Sequence, residues 1–354
     1  MSLGILQRGF MKLLERYSRC NMYDLARLDD KERSIIFRNT ANKMKVNDAI
    51  IEKDFWVVLM LDYLFNKCKY RDSFTFKGGT SLSKGYSLIR RFSEDIDIIL
   101  DWRVFGISEN EPYELRSKTK QNEYNKEINE LASAFIKNVL LSEIKEGMQK
   151  VLGFEVDMYC DKKEENIVIF KYPKLFTNTS ILSTIKLEFG PLAALTPSET
   201  TKISSYINDY YPSVMSKPFT EVLTVKPERT FWEKITILHH EANRPIESKI
   251  PSRYSRHYYD VFMIGKSQLK SELIRDTELL NRVVEFKEKF YPRGWARYDL
   301  AKPGTLKLLP DEYRFKELKD DYTSMQDMLF GEKPTIHNIM EYIGALEKEI
   351  NEQD

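Results

Sequence analysis

Asp95 and Asp97 stand two residues apart in the β-prone run Glu94-Asp95-Ile96-Asp97-Ile98. Side chains alternate across a strand, so the two carboxylates share one face while Ile96 and Ile98 take the other. Carboxylates held close repel unless a cation stands between them, and an all-oxygen ligand set suits Mg²⁺ or Mn²⁺. Upstream, Phe74-Thr75-Phe76-Lys77 runs into Gly78-Gly79-Thr80-Ser81, and a helix-length stretch follows with Leu82, Tyr86 and Ile89 on one stripe. Glycine permits close backbone approach, and backbone N–H groups at a helix start can meet a phosphate. Lys77, the Thr80 and Ser81 hydroxyls and Lys84, one turn on, would add to that cradle. A phosphate cradle beside metal-binding carboxylates is the equipment of nucleotide chemistry. A solvated strand end or a helix cap is the plain alternative for the aspartates.

Two-metal phosphoryl transfer commonly uses a third carboxylate. Glu188 in Ile185-Lys186-Leu187-Glu188-Phe189 fits, with Leu187 and Phe189 facing inward and Lys186 on the face of Glu188; Asp157, on an earlier β-prone run, is its rival. A cross-strand Lys–Glu pair in solvent would produce the same spacing. After Pro227, a helix start carries Glu228, Arg229, Phe231, Trp232, Glu233 and Lys234, with 230, 234 and 237 on one stripe. Lys234 offers a point charge to a triphosphate, or else pairs with Glu233 or Glu241. Arg253, Arg256, His257 and Asp260 form a fourth element, read either as an anion or RNA contact or as a helix-anchoring Asp–Arg pair.

The wording FKGGTSLSKGY followed by RFSEDIDI resembles the AbiEii/AbiGii-type toxin family, a branch of the nucleotidyltransferase superfamily found in abortive-infection and toxin–antitoxin systems. The resemblance spans about Ile51 to Pro310 and is most specific at this first element. It implies a polymerase-β-like α/β core with a mixed sheet, and an enzyme that moves a nucleoside monophosphate from an NTP to an RNA 3′ end, such as a tRNA acceptor; the three scattered cysteines suggest a reducing cytoplasm as its home. It also implies a cognate antitoxin and a role in phage defence. Asp95, Asp97 and Glu188 match the metal ligands, since superfamily members place an acidic residue on a later strand. Gly78, Gly79, Thr80, Ser81, Lys84 and Arg229 fall to the nucleotide. Lys234 matches the lysine of an R-T-x-x-E-K element, and Asp260 the acidic position of R-x-x-R/H-x-Y-D. Arg90, Arg253 and Arg256 are then candidates for the RNA backbone. γ-Phosphoryl transfer, nucleotidylation of a protein hydroxyl, and a non-catalytic nucleotide- or RNA-binding regulator are the rival readings.

The elements that must position these residues follow from the wider pattern. With 354 residues, 42% hydrophobic and 31% charged, the chain is sized for two subdomains. Residues 24–66 read as helical, with Asp29 and Asp30 before an apolar stripe. The charged span 112–150 is helical, and 151–190 holds three β-prone runs: GFEVDMYC, ENIVIFKYP and STIKLEFG. Pro191, Pro197 and TPSETTKISSY mark a boundary, giving an α/β domain over 1–200 and a mainly helical domain over 201–354 that closes a cleft. The start, MSLGILQRGFMKLLERYSRC, reads as an amphipathic helix rather than a signal peptide. No apolar run approaches the roughly 18 residues of a membrane span. The net charge of +1 announces no polyanion, but Lys77 to Arg91 holds four basic residues and no acid. Cys20, Cys68 and Cys160 form no CxxC pair, His239-His240-Glu241 lacks zinc-hydrolase spacing, and there is no GxSxG or Walker A loop.

Overall fold

The computed structural model describes residues 20–178, 181–212 and 215–353. The amphipathic helix expected at the start of the chain falls, up to Arg19, outside them. The chain forms two compact units. The first comprises the described residues up to Thr80 together with Glu94–Leu115 and Lys126–Thr224; the second comprises Ser81–Ser93, Arg116–Asn125 and Val225 onward.

The first unit is built on a seven-stranded mixed sheet of order β3-β4-β5-β2-β1-β7-β6. Its strands are β1 (Phe74–Lys77), β2 (Ile96–Leu100), β3 (Asp157–Cys160), β4 (Ile167–Lys171), β5 (Ile185–Gly190), β6 (Ser198–Ile203) and β7 (Thr220–Val225). β2 lies antiparallel to β1 and parallel to β5. The three β-prone runs of 151–190 are β3, β4 and β5. Strands β6 and β7 were not among the expected ones. β6 is polar because it sits on the sheet edge, with only Thr201 and Ile203 buried. β7 buries Thr220, Val222, Thr224 and Val225, a β-branched pattern that suits a pleated surface.

Helix α1 (Asp30–Met44) begins where Asp29 accepts a hydrogen bond from the Glu32 N–H at 2.8 Å, the cap its sequence predicts. Helix α2 (Asp48–Asn66) is buried from Ala49 to Leu64 and packs against the sheet through Phe65, whose ring stands edge-on to Phe74 and Phe76. Its four buried charges are each tied to a separate piece of chain. Glu52 accepts from the Leu175 and Phe176 N–H groups, and Asp54 from the Tyr206 N–H. Asp62 accepts from the Tyr23 and Thr220 hydroxyls. Lys53 reaches Glu94.

The second unit has its own apolar cluster, with Phe231, Trp232, Ile235, Tyr258, Leu280, Ile339 and Ile343 among its members. It contains α5 (Pro227–Ala242), α6 (Ser255–Gly265), α7 (Thr277–Phe290), α8 (Phe315–Ser324) and α9 (Ile336–Asn351); α3 (Lys118–Phe135) and α4 (Leu141–Leu152) precede them in the chain. Pro227 opens α5 at a position where the missing N–H costs nothing. Asp321 of α8 caps α6, accepting from the Ser255 and Arg253 N–H groups.

Candidate active site

Strand register decides which carboxylates meet. Asp97 of β2 is the partner of Glu188 on β5 and, on its other side, of Lys77 on β1. Residues paired across neighbouring strands share a face, so Lys77, Asp97 and Glu188 form a row across three adjacent strands, spaced about 4.8 Å apart. Ile96, Ile98, Leu187 and Phe189 occupy the opposite, buried face, as the alternation requires. Asp157 sits on the edge strand β3, beyond both β4 and β5, and pairs with Lys171 at 3.1 Å. At one strand spacing each it lies about 14 Å from β2, so Glu188 is the carboxylate placed beside the aspartates.

Gly78 is required by what lies over it. Its φ is +85°, and a Cβ would fall inside the Asp97 carboxylate. The glycine lets the chain turn directly against the acid. The helical turn it opens is shorter than the sequence suggests. Gly78–Thr80 continues into Ser81–Gly85 and stops there, because Gly85 favours helix poorly and Ser87 takes a left-handed φ of 54°. Leu82 and Ile89 are still buried, but Tyr86 is not on a helical stripe with them.

Asp95 precedes β2 and is fixed from both sides. Its carbonyl accepts from the Thr80 hydroxyl at 2.5 Å. Its neighbour Glu94 is buried and paired at 2.7 Å with Lys53, which also donates to the Leu182 carbonyl at 2.9 Å. Lys53 was not foreseen; a lysine inside the apolar run IIEKDFWVVLM was the available signal. Lys186 shares the site face and binds Glu164 at 3.1 Å. Burial works against its charge, but Glu164, with Asp95 and Glu188 further off, more than offsets this and raises its pKa.

In the second unit Asp260 is fully buried and holds two cations. Arg91 is bidentate, Nε to Oδ1 at 2.7 Å and Nη2 to Oδ2 at 2.9 Å, and Lys234 Nζ reaches Oδ2 at 2.8 Å. Arg91 is held by backbone pairing on either side: Phe92 N–H to the Met328 carbonyl and Phe330 N–H to the Arg90 carbonyl. Burial opposes ionisation of Asp260, yet Arg91 and Lys234 keep its carboxyl well below the usual range. Burial, and then the nearby charges of Arg91 and Arg256, pull the Lys234 ammonium down against Asp260. Burial and the charges of Lys234 and Arg256 also push His257 well below its ordinary value, so its imidazole is neutral at pH 7. Arg91, Lys234 and Arg256 against one carboxylate leave a surplus of positive charge, suited to an anion. Arg91 was missed; the residue singled out was its exposed neighbour Arg90. Arg229 is bound to Glu233 at 3.0 Å on its own helix. The Arg253 guanidinium touches Met328 Sδ at 3.1 Å.

The acidic row fits a divalent cation. Mg²⁺ usually takes one or two protein carboxylates and completes its shell with water and substrate phosphates. Asp97 and Glu188 side by side, with Asp95 two residues ahead, provide that set. Among the described residues no group of three or more His, Cys, Asp and Glu converges as a metal cage.

The family described as nucleotidyl transferase AbiEii toxin, type IV TA system, matches residues 60–345. No curated protein matches the chain. Among solved structures, MenT4, a nucleotidyltransferase toxin from Mycobacterium tuberculosis H37Rv, is similar at 15% identity and a TM-score of 0.51, covering 91% of this chain and 90% of its own. JHP933 from Helicobacter pylori gives 14% identity and a TM-score of 0.42, over 86% of this chain and 93% of its own. At 15% identity the likeness to MenT4 speaks for the fold alone. The family match covers most of the length and includes Lys77, Gly78, Asp95, Asp97, Glu188, Lys234 and Asp260. The chain belongs to the AbiEii family of nucleotidyltransferase toxins.

Proposed function

We propose that this toxin transfers a nucleoside monophosphate from an NTP to the 3′ end of an RNA, with tRNA as the acceptor, and so halts translation. The observation that carries the reading is the in-register pairing of Asp97 with Glu188, under a glycine turn that leaves no room for a side chain beside Asp97. Asp95, Asp97 and Glu188 hold Mg²⁺, which when bound neutralises charge on the phosphates. The backbone of Gly78 and Gly79, the Ser81 hydroxyl, Lys77 and Lys84 receive the triphosphate, while the Thr80 hydroxyl is spent on the Asp95 carbonyl. Lys234, bound to Asp260, adds positive charge to it, and Arg229 supports the same task. Arg90, Arg253 and Arg256 contact the RNA backbone. The acceptor hydroxyl oxygen bonds to the α-phosphorus, the bridge to the β-phosphate breaks, pyrophosphate departs and the hydroxyl proton is released. Positioning and charge neutralisation supply most of the catalysis in such transfers.

The test is incubation with Mg²⁺, total tRNA and each α-³²P-labelled NTP in turn, beside an Asp95→Ala/Asp97→Ala control. Label on RNA from one NTP, absent in the control, is the expected result. Label on protein instead moves the acceptor to a side chain. Absence of label, in protein that still binds NTP, overturns the reading.

A further inference from the structure

Lys234 of α5 and Asp260 of α6 have roles in the transfer proposed above. Arg91, from the chain ahead of β2, has none, although it makes two hydrogen bonds to Asp260 where Lys234 makes one. All three side chains are buried in the second unit.

What Arg91 does to the pair follows from the shapes of the groups. An ammonium on a flexible four-carbon stem sets no direction of its own, whereas a guanidinium is a flat fork that meets a carboxylate edge to edge. The terminal torsion of an aspartate is broad. With Lys234 alone, the Asp260 carboxylate could turn and the ammonium could settle between its two oxygens. Arg91 removes that freedom. Its Nε takes Oδ1 at 2.7 Å and its Nη2 takes Oδ2 at 2.9 Å, and Lys234 Nζ sits on Oδ2 at 2.8 Å. The fork is fixed at its root. Arg91 pairs with Leu329 in an antiparallel bridge, and the Phe92 N–H donates to the Met328 carbonyl at 2.7 Å. The same backbone that delivers the fork therefore sets the plane of the carboxylate.

Charge points the same way. A carboxylate shared by two cations neutralises neither of them fully. The titratable groups whose charge reaches Lys234 are Asp260, Arg256 and His257 of α6, together with Arg91. The other ionic groups around α5 are directed elsewhere: Arg229 binds Glu233, Lys287 of α7 donates to the Glu233 carbonyl, and Arg297, whose carbonyl meets His239, pairs with Asp299.

We infer that Arg91 is a positioning residue for nucleotide transfer: it locks the plane of the Asp260 carboxylate and takes up part of its charge, so that Lys234 is held at one point with charge left for a phosphate. The inference rests on the nucleotidyltransferase reading and adds to it the residue that makes its lysine usable. An Arg91 with a structural role alone would only tie the chain ahead of β2 to α6.

The experiment compares wild type with Arg91→Met and Arg91→Lys. Methionine keeps an apolar stem and leaves Asp260 its Lys234, so the buried carboxylate retains a cation; lysine keeps the charge and loses the fork. The first readout is competitive acetylation of Lys234 across a range of pH, followed by mass spectrometry. In Arg91→Met a repelling charge is gone and Asp260 is undivided, so the Lys234 midpoint moves to higher pH; in Arg91→Lys it stays near that of wild type. The second readout is transfer of label from NTP to RNA. Misplacing Lys234 lowers kcat about tenfold to a hundredfold in both variants, with a smaller change in the KM for NTP. The alkaline limb of the rate profile, where Lys234 loses its proton, moves up in Arg91→Met with the acetylation midpoint. A rate that falls while limb and midpoint stay in place marks a structural role and overturns the inference. A kcat within about twofold of wild type in Arg91→Met also overturns it. Should Arg91→Met not fold, Arg91→Lys carries the test, and a kcat within about twofold of wild type overturns the inference. If wild-type protein transfers nothing, the transferase reading fails, and acetylation alone decides whether Arg91 sets Lys234: a midpoint unmoved in Arg91→Met overturns it.

Discussion

Lys53→Met separates the role of the buried ion pair from general packing. Lys53 and Glu94 are 0% and 2% exposed and meet at 2.7 Å. Removing the ammonium leaves the Glu94 carboxylate in an apolar interior with its principal charge partner gone. Breaking such a pair on one side costs about 3–5 kcal/mol, whereas replacing both partners with apolar groups is often close to neutral. The second acceptor of Lys53, the Leu182 carbonyl, adds little, because Leu182 is 54% exposed and its carbonyl can turn to water. Lys53→Met is thus expected to lose about 3–5 kcal/mol, and Lys53→Met/Glu94→Met to return to within about 1–2 kcal/mol of wild type. Urea unfolding of the three proteins, followed by circular dichroism, measures both numbers. A pH series adds a sign. In the single variant burial raises the folded pKa of Glu94 above its unfolded value. A carboxyl shifted that way favours the folded state while protonated, and the benefit is lost as pH rises. The deficit of Lys53→Met is therefore larger at pH 8 than at pH 5. A single variant that loses under about 1 kcal/mol, or a double variant worse than the single, refutes the reasoning.

Gly78→Ala forces a Cβ into the Asp97 carboxylate at a left-handed φ; the strain alone costs about 1–2 kcal/mol, and nucleotide transfer should fall at least tenfold in the labelled-NTP assay. Glu188→Gln should abolish transfer while Asp157→Ala, at the far edge strand, leaves it within twofold; equal loss in both would show that register does not select the third carboxylate. Glu52 is pushed up to about 7 by burial, against the Leu175 and Phe176 N–H groups that favour its charged form. Since the folded value lies above the ordinary 4.5, stability should decline as pH rises from 4.5 through 7, and carbon-13 NMR of the Glu52 carboxyl should show a midpoint near 7; a midpoint below 5 would contradict it. Asp260 is shifted the other way by Arg91 and Lys234, burial notwithstanding, so its contribution is present above its ordinary value of 3.8 and is lost as pH falls below it. Acid unfolding of Asp260→Asn should lack that slope.

The parts of the fold that were legible are those where local pattern and final environment agree. Ile185-Lys186-Leu187-Glu188-Phe189 alternates because one face of β5 is core and the other is site, and Asp29 caps α1 with atoms three residues apart. β6 was hidden because an edge strand has little to bury and so writes little alternation. The helix after Gly78 was overdrawn because apolar spacing at 82, 86 and 89 mimics a stripe, whereas Leu82 and Ile89 reach the core by way of a chain reversal at Ser87. That Asp97 and Glu188 share a face of neighbouring strands follows from period-two reasoning, whereas Asp95 lies ahead of β2 and Gly78 in the turn after β1. The pairing of Arg91 with Asp260 and of Lys53 with Glu94 does not: Arg91 is 169 residues from Asp260, and Lys53 is 41 from Glu94. No local rule links residues so far apart. Composition within an apolar run flags that Lys53 needs a partner, but only the assembled sheet says which one.

The charges of α2 carry a general argument about precision. Apolar contacts from Ile51, Phe55, Val58 and Leu59 hold the helix in the core, but such contacts are non-directional and tolerate sliding. A hydrogen bond fails within a fraction of an ångström or a few tens of degrees. Glu52, Lys53, Asp54 and Asp62 each grip a different segment, so the helix fixes the loop at Leu175, the turn at Glu94, the chain at Tyr206 and the start of β7 together. Apolar residues in place of both members of an ion pair, Lys53 and Glu94, would cost little stability. What they would not give is a fixed position for Asp95, one residue beyond Glu94, relative to Thr80, whose hydroxyl holds the Asp95 carbonyl. Phosphoryl transfer depends on holding the reacting groups in line, and small misplacements cost orders of magnitude in rate. The buried charges thus place directional restraint on the stretch of chain that leads into the acidic row. Removal of Lys53 and Glu94 together should therefore damage catalysis far more than stability.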